Sequence, residues 1–452
     1  MLDKFASFFD KGLEKVVDTP INFVLSLSKI DDFILSVANK LDGYGIAKPV
    51  TFSFFFFIFG ILPWLFIPSL FFAFLSGLFY LTPVILPLLL LILFLEKWKK
   101  YKRLEFLSSK NPILLEIKFK DLPRAGPSAM ELFFEAIHIA PGESPPINKI
   151  IKGATRPWWS FEMVSFEGEL RFFIWTWDVF EDFLRTQLKA HFDELELERV
   201  PDYLDGLVAD LNKIDLWGED FRFTKSDAIP IKTYKVALME GAQEDMLDNV
   251  FEKFSALGEG EFLILQIMAQ VTTNTSWRRE VESAIQDIYR KYGMKDESYP
   301  VPVLKPQDQT LVDILRSSTE KDAYDVGIRA VYIAKKDKFN PTRIGPNVVH
   351  MFRSFASQHL NYLLGASRWL SIFDYPWQDP FGKRQEVMKK KLIQLLKRRA
   401  YFHPPDSFYP YMVLTTEELA SIYHFPRKAK YILKNKTSKS NNINEPPSNL
   451  PV

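Results

Sequence analysis

Between Pro49 and Leu95 the chain carries no charged residue. The run includes S-F-F-F-F-I-F-G-I-L-P-W-L-F-I-P near its start and V-I-L-P-L-L-L-L-I-L-F-L at its end. One bilayer crossing takes about 20 apolar residues at roughly 1.5 Å each, and this run is more than twice that long. Two crossings joined by a tight turn use it best, with Pro63, Pro68, Pro83 and Pro87 inside membrane helices or at the turn. The alternative, a pair of buried core helices, would keep polar residues on one face. The expectation is a transmembrane helical hairpin over residues 50–95. The run begins too late and is too long for a cleavable signal. Lys97, Lys99, Lys100, Lys102 and Arg103 follow at once, in a basic linker over 96–111. Such clusters stay on the cytoplasmic side. The expected placement is therefore multi-pass in the cytoplasmic membrane, with the bulk of the chain cytoplasmic and the lipid bilayer as a partner.

Residues 1–49 carry apolar positions at helical spacing, among them Phe5, Phe8, Phe9, Leu13, Val16 and Val17, between lysines and aspartates. They read as juxtamembrane amphipathic helices, lying on the membrane face or packing as a hairpin on the globular part. From Pro112 the pattern becomes α+β. Strand patterns at 113–119, 158–166, 169–177 and 195–200 alternate with helical ones from Pro127 and over 178–192. Ser128 and Glu131 have capping-box spacing at the first of these helices. The order β-α-β-β-α-β is that of a ferredoxin-like split unit, and gives a first lobe over 112–205. A weakly patterned junction, 206–243, leads to a second lobe over 244–435. That lobe has helices at 244–257, 276–292 and 309–321, strands at 261–271 and 326–334, and helices at about 345–364 and 383–399. Both lobes are expected to carry antiparallel sheets. The tail, 436–452, has almost no apolar content and reads as disordered.

The chemistry is mostly excluded rather than found. The chain has no cysteine, so disulfides, thiolate metal sites and thiol catalysis are out. Lysine plus arginine is 57 against 56 for aspartate plus glutamate, a balance unlike that of a dedicated nucleic-acid binder. No G-x-x-x-x-G-K-[ST], G-x-G-x-x-G, H-E-x-x-H or G-x-S-x-G occurs. The histidines His138, His191, His350, His359, His403 and His424 show no ligand spacing; His350 and His359 fall nine apart on one expected helix. Glu194, Glu196 and Glu198 share one strand face, solvated by the ordinary reading and metal-binding by the minor one. Lys389, Lys390, Lys391, Lys397, Arg398 and Arg399 make a basic helix, either a solvated face or a contact for anionic lipid, acidic protein or a nucleic-acid backbone. Arg278 and Arg279 beside Trp277 are a weak nucleic-acid signal. No catalytic, cofactor-binding or metal-binding residue is assigned, and no cofactor is expected. The closing L-T-T-E-E-L-A-S-I-Y-H-F-P, Leu414–Pro426, reads as a strand feeding a short helix. Thr415 or Thr416 is its cap, and His424 meets the free carbonyls at its end.

Several stretches carry a resemblance. They are S-A-M-E-L-F-F-E-A-I-H, S-F-E-M-V-S-F, L-R-F-F-I-W-T-W, R-T-Q-L-K-A-H-F, F-L-I-L-Q-I-M-A, D-V-G-I-R-A-V-Y-I-A and the closing L-T-T-E-E-L-A-S-I-Y-H-F-P. Together, over about 110–430, they resemble the N-terminal, non-motor region of VirB4/TraG-like, HerA-related type IV secretion and conjugation ATPases, of the kind found in candidate-phyla bacteria. In that family the last stretch precedes the motor domain. No position here matches the motor motifs, so no ATP-binding residue carries over. The resemblance implies a bacterial, membrane-anchored, non-catalytic docking subunit of a type IV secretion (conjugation-like) system. It would partner a separately encoded ATPase, with a homo-oligomer as a further option and nucleic acid touched only indirectly. Two rival expectations stand beside it: a structural membrane protein unrelated to secretion, and a carboxylate-based membrane hydrolase built on the acidic strand.

Overall fold

The sharpest local instruction in the sequence is Glu167-Gly168. Both residues take positive φ, 55° and 89°, as a two-residue turn matched to strand twist requires. They join β2 (Trp159–Phe166) to β3 (Glu169–Trp177) as a tight antiparallel hairpin. Around it the first unit is built from β1 (Pro112–Phe119), a helix at Pro127–Ala136, a helix at Glu181–His191 and β4 (Leu195–Val200). Its strands lie in the order β4-β1-β3-β2.

The computed structural model describes residues 53, 57, 68–139, 151–208, 213–293, 303–366, 379, 381–402 and 409–431. The amphipathic helices expected over 1–49, the tail 436–452 and His403 lie outside them. The helices are labelled α1 (Pro68–Ser108), α2 (Pro127–Ala136), α3 (Glu181–His191), α4 (Tyr203–Leu207), α5 (Tyr234–Met239), α6 (Asp248–Ser255), α7 (Ser276–Lys291), α8 (Pro306–Thr319), α9 (Pro341–Val349), α10 (Lys383–Arg398) and α11 (Thr416–Ile422). The later strands are β5 (Ile214–Phe223), β6 (Glu261–Val271), β7 (Ala323–Lys335), β8 (Leu363–Ala366) and β9 (Met412–Thr415). The chain divides into two compact units, Met1–Glu96 with Phe373–Gln385, and Lys97–Ile372 with Glu386–Val452. The described part of the first is chiefly the leading portion of α1. All that follows on packing concerns the second.

The transmembrane hairpin is corrected. From Pro68 to Ser108 the chain is one continuous helix of 41 residues that runs through Pro83 and Pro87 without a turn. Charge enters it with Glu96. Among the described residues no helix is long and apolar enough to cross a membrane. The expected multi-pass membrane placement is corrected on the same finding.

The class is α+β, but the two expected lobes do not have separate sheets. One nine-stranded sheet runs β4-β1-β3-β2-β6-β7-β5-β8, with β9 on β7. Every pairing between these strands is antiparallel. The second half repeats the first: β5, β6, β7 and β8 lie in the order β8-β5-β7-β6, which is again fourth-first-third-second. The halves meet through their second strands, Trp159–Phe166 pairing with Phe262–Ala269. In the second half the pair α7 and α8 stands where the first has only its two-residue turn.

Alternation sends Ile113, Leu115, Phe161, Met163, Phe172 and Ile174 to one face, where Met130, Phe133 and Phe134 of α2 and Leu184 and Leu188 of α3 cover them. The other face carries Leu114, Val164, Phe173, Ile264, Val331 and Ile333, covered by Leu392, Ile393, Leu395 and Leu396 of α10 and Leu204 of α4. A third cluster lies between α7 and α8, with Trp277, Val281, Ile285, Val312 and Leu315.

Four local expectations need correction. The helix expected over 345–364 stops at Val349, and β8 begins at Leu363. His350 and His359 therefore share no helix. The weakly patterned junction contains β5, whose I-D-L-W-G-E-D-F-R-F reads polar because Glu219 and Asp220 are charged, yet both are fully buried. The capping box at Ser128 does not form, since α2 begins at Pro127 behind Gly126 with no side-chain cap.

Candidate functional site

Cross-strand register writes a polar row across the second face of the sheet. Glu162 stands opposite Gln266, Gln266 opposite Arg329, and Arg329 opposite Asp220, so the row crosses β2, β6, β7 and β5. All four side chains are fully buried. Gln266 Nε2 donates to Glu162 at 3.0 Å, and Arg329 Nε donates to Asp220 at 2.8 Å. Such a row is tolerable only if its members find partners. The end of α10 supplies them. Its last carbonyls have no partner within the helix, and the sheet donates to that region. Gln266 Nε2 reaches Leu396 O at 3.1 Å, Arg329 Nη1 reaches Ala400 O at 3.2 Å, and Trp158 Nε1 reaches Arg399 O at 2.9 Å.

Arg399 closes the arrangement. It follows α10 with φ 48°, a left-handed conformation rare for arginine. Its fully buried guanidinium donates to Glu162 at 2.9 Å and to Asp202, which caps α4 by accepting from Leu204 N–H. Burial disfavours that cation, but the Glu162 carboxylate and the other partners outweigh this and raise its pKa further.

Beside this latch lies a cleft of about 1260 Å³. Strand period places Trp175 and Trp177 on one face of β3, and Trp158 comes up next to them from just before β2. The Trp158–Trp175 centroids are 5.5 Å apart and the Trp158–Trp177 centroids 5.9 Å. Leu104 and Leu107 of α1, Leu395 of α10 and Phe402 complete the apolar lining. The rim is cationic: Lys100, Arg103 and Lys110 from the end of α1 and just beyond it, Arg199 from β4, and Lys391, Lys397 and Arg398 from α10. Its two carboxylates are engaged, Asp202 with Arg399 and Asp205 with Lys397 at 2.8 Å. The arrangement is suited to binding an anionic, partly apolar ligand.

The basic helix expected over 383–399 thus divides by role. Lys389 pairs with Asp215 and Lys390 with Glu386, Lys391, Lys397 and Arg398 face the cleft, and Arg399 is buried beneath it. Strand period aligns Trp175 with Trp177, but Trp158 is brought beside them only by the pairing of β2 with β3. The fraction of it visible in the sequence was the basic run itself.

The other candidates serve the fold. Glu196 pairs with Lys120 at 3.1 Å and Glu198 lies 3.9 Å from Lys118, on an exposed strand face. Among the described residues no group of three or more acidic or histidine side chains is placed to hold a metal ion. His138 Nε2 lies 3.2 Å from Ala323 O, with the ring edge-on to Tyr324. His191 ends α3 and His350 follows α9, its carbonyl accepting from Lys253. Trp277 is buried between α7 and α8, and Arg278 donates to Thr319 O and Lys321 O.

The closing stretch is a joint locked into the sheet. β9 pairs with β7 over Met412–Thr415. Thr415 caps α11, and the Glu418 side chain returns to Thr415 N–H at 2.9 Å, a complete capping box. The other Glu418 oxygen accepts from Ile231 N–H at 3.0 Å. Burial pushes that carboxyl up to about 7 despite these bonds. His424 Nδ1 lies 2.8 Å from Ala420 O and Nε2 lies 2.8 Å from Asp245. The imidazole therefore caps the helix end and holds the 245 turn. Burial raises the Asp245 carboxyl, and His424 outweighs that and holds it below its ordinary value. Glu131 on α2 joins the same region: Tyr234 Oη donates to it at 2.5 Å, and Lys235 and Lys321 pair with it. This cluster was missed in the sequence, where Glu131 read as a cap. No protein-family model matches the chain, and no curated protein matches it.

Proposed function

We propose that this protein is a non-catalytic docking subunit of a type IV secretion (conjugation-like) machine, partnering an ATPase of the VirB4/HerA kind. The observation that carries the reading is how the family-like segments lie. S-F-E-M-V-S-F and L-R-F-F-I-W-T-W are β2 and β3, F-L-I-L-Q-I-M-A is in β6, D-V-G-I-R-A-V-Y-I-A is in β7, and the closing stretch is β9 with α11. These strands are contiguous, and α11 packs against α2, which carries S-A-M-E-L-F-F-E. The resemblance thus falls on one connected core rather than on scattered surface. A rigid sheet that ends in a locked joint is a suitable platform for a motor. A hydrolase has no such support, because Glu196 and Glu198 are exposed and paired with lysines. The test is affinity purification of the tagged full chain from its native cells. Retention of an ATPase identified by its G-x-x-x-x-G-K-[ST] sequence is expected; its consistent absence removes the docking role.

A further inference from the structure

We propose that the tryptophan-floored cleft is the seat of an acidic amphipathic helix contributed by the partner protein. The inference rests on the docking reading above and adds where, and by what chemistry, the partner is held. Size is the first argument. At about 1260 Å³ the cleft exceeds the roughly 300–1,000 Å³ that suits a small ligand. Charge is the second. The whole chain carries a net charge of only +1, yet cations crowd this one rim, while Asp202 and Asp205 already answer Arg399 and Lys397. Complementary charge of this kind selects and orients a partner.

The apolar surface decides between an acidic peptide and a nucleic-acid strand. Stacking of bases needs open aromatic faces. Trp158, Trp175 and Trp177 are 6%, 7% and 6% exposed. Their faces are taken by one another, by Phe106 and Phe180, and by Lys110 and Arg399. What stands open is aliphatic: Leu104 is 45% exposed at the cleft wall. An amphipathic helix laid into a groove offers the matching surface, apolar anchors every third or fourth residue with carboxylates on either side. Its leucines would meet Leu104 and the tryptophan edges, and its carboxylates would meet Lys100 and Arg398.

The experiment uses the full chain and three fluorescein-labelled probes in anisotropy titrations. The first is a peptide of about four helical turns with leucine at i, i+3, i+4 and i+7 and glutamate between. The second has the same composition scrambled, and the third is an oligothymidylate of about 12 nucleotides. The patterned peptide is expected to bind at least about tenfold more tightly than either other probe. The Lys100→Glu/Arg398→Glu double variant and, separately, Leu104→Asp are each expected to weaken it by about tenfold. All three positions are exposed, so unchanged far-UV circular dichroism is expected of both variants. Tighter binding of the oligonucleotide, equal binding of the scrambled peptide, no binding of the peptide at all, or indifference to both variants overturns the proposal. The docking reading fails separately. If the charge-reversed chain retains the ATPase as well as the wild type does, the cleft is wrong and docking stands. If the peptide binds as expected and no ATPase is retained, the docking subunit reading falls and the cleft's preference remains.

Discussion

A left-handed arginine is held by its side chain, not by its backbone. Arg399 sits at φ 48° with its guanidinium buried between Glu162 and Asp202. Glycine suits that backbone better by about 1–2 kcal/mol, while removing one partner of a buried ion pair costs about 3–5 kcal/mol. Arg399→Gly should therefore destabilise the protein by about 2 kcal/mol in urea unfolding; a gain would mean the pair contributes little. Asp227 makes a second prediction at this scale. It accepts from Val413 N–H at 3.3 Å on β9, and burial, with Glu280 and Asp325 nearby, pushes it up to about 6. The folded state thus holds this proton more tightly than the unfolded one. The contribution is full below about pH 4 and is lost as pH rises through about 6. Asp227→Asn stays neutral and can still accept from Val413. Its stability relative to wild type should rise by about 2 kcal/mol between pH 4 and 7, read from urea midpoints at each pH. A flat difference would show that Asp227 is not the titrating group.

At the scale of elements, the close approach of β7 to the chain beyond α10 depends on one missing side chain. A Cβ at Gly327 would lie 2.2 Å from two atoms of the Tyr401 ring. β7 is pinned between β6 on one side and β5 and β9 on the other, so it has little room to give way. Gly327→Ala should cost about 2 kcal/mol or more through overpacking. Tyr401→Ala in the same chain should remove that penalty, and a double-mutant cycle measures the coupling. Glu131 ties α2 to Tyr234, Lys235 and Lys321, and burial works against its carboxylate while Lys321, Tyr234 and Lys235 hold its pKa down. Glu131→Ala should cost about 2 kcal/mol, discounted because the lysines are partly exposed. Thermal unfolding that leaves the midpoint unmoved would show the cluster to be ornamental.

For the whole molecule, continuity of the sheet is the governing fact. Two halves with the same strand order are sealed through β2 and β6, so neither closes its own edge. The polar row from Glu162 to Asp220 crosses that seam, and α10 is fastened to both sides of it. The sheet-bearing body should unfold in one transition, with tryptophan fluorescence coinciding with far-UV circular dichroism. A fragment of residues 112–205 should aggregate or remain unfolded, because it bares the edge of β2 and the row it carries. A soluble, cooperatively folded fragment, seen by size exclusion and thermal melting, would show that the halves are independent.

Local patterns in the sequence determined most elements. Alternation marked β2, β3, β4 and β6 to within a residue, because each strand sends apolar side chains to a packed face. The Glu167-Gly168 turn and a threonine cap at Thr415 or Thr416 followed from short-range hydrogen bonding and backbone preference, and the structure places the cap at Thr415. Only the tertiary structure decided the rest. β5 escaped notice because its buried Asp220 is answered by Arg329, 109 residues away in the chain. Glu131 looked like a cap until its lysines arrived from two other segments. The apolar run over 50–95 suggested a hairpin, while its part from Pro68 onward belongs to one unbroken helix. The cleft could not be read in advance, since β1, β3, β4, α1 and α10 each give it a few residues. Alternation and capping act over a few residues and leave a periodic trace. Burial of charge and the pairing of distant strands act between segments, and their partners are chosen only when the chain closes on itself.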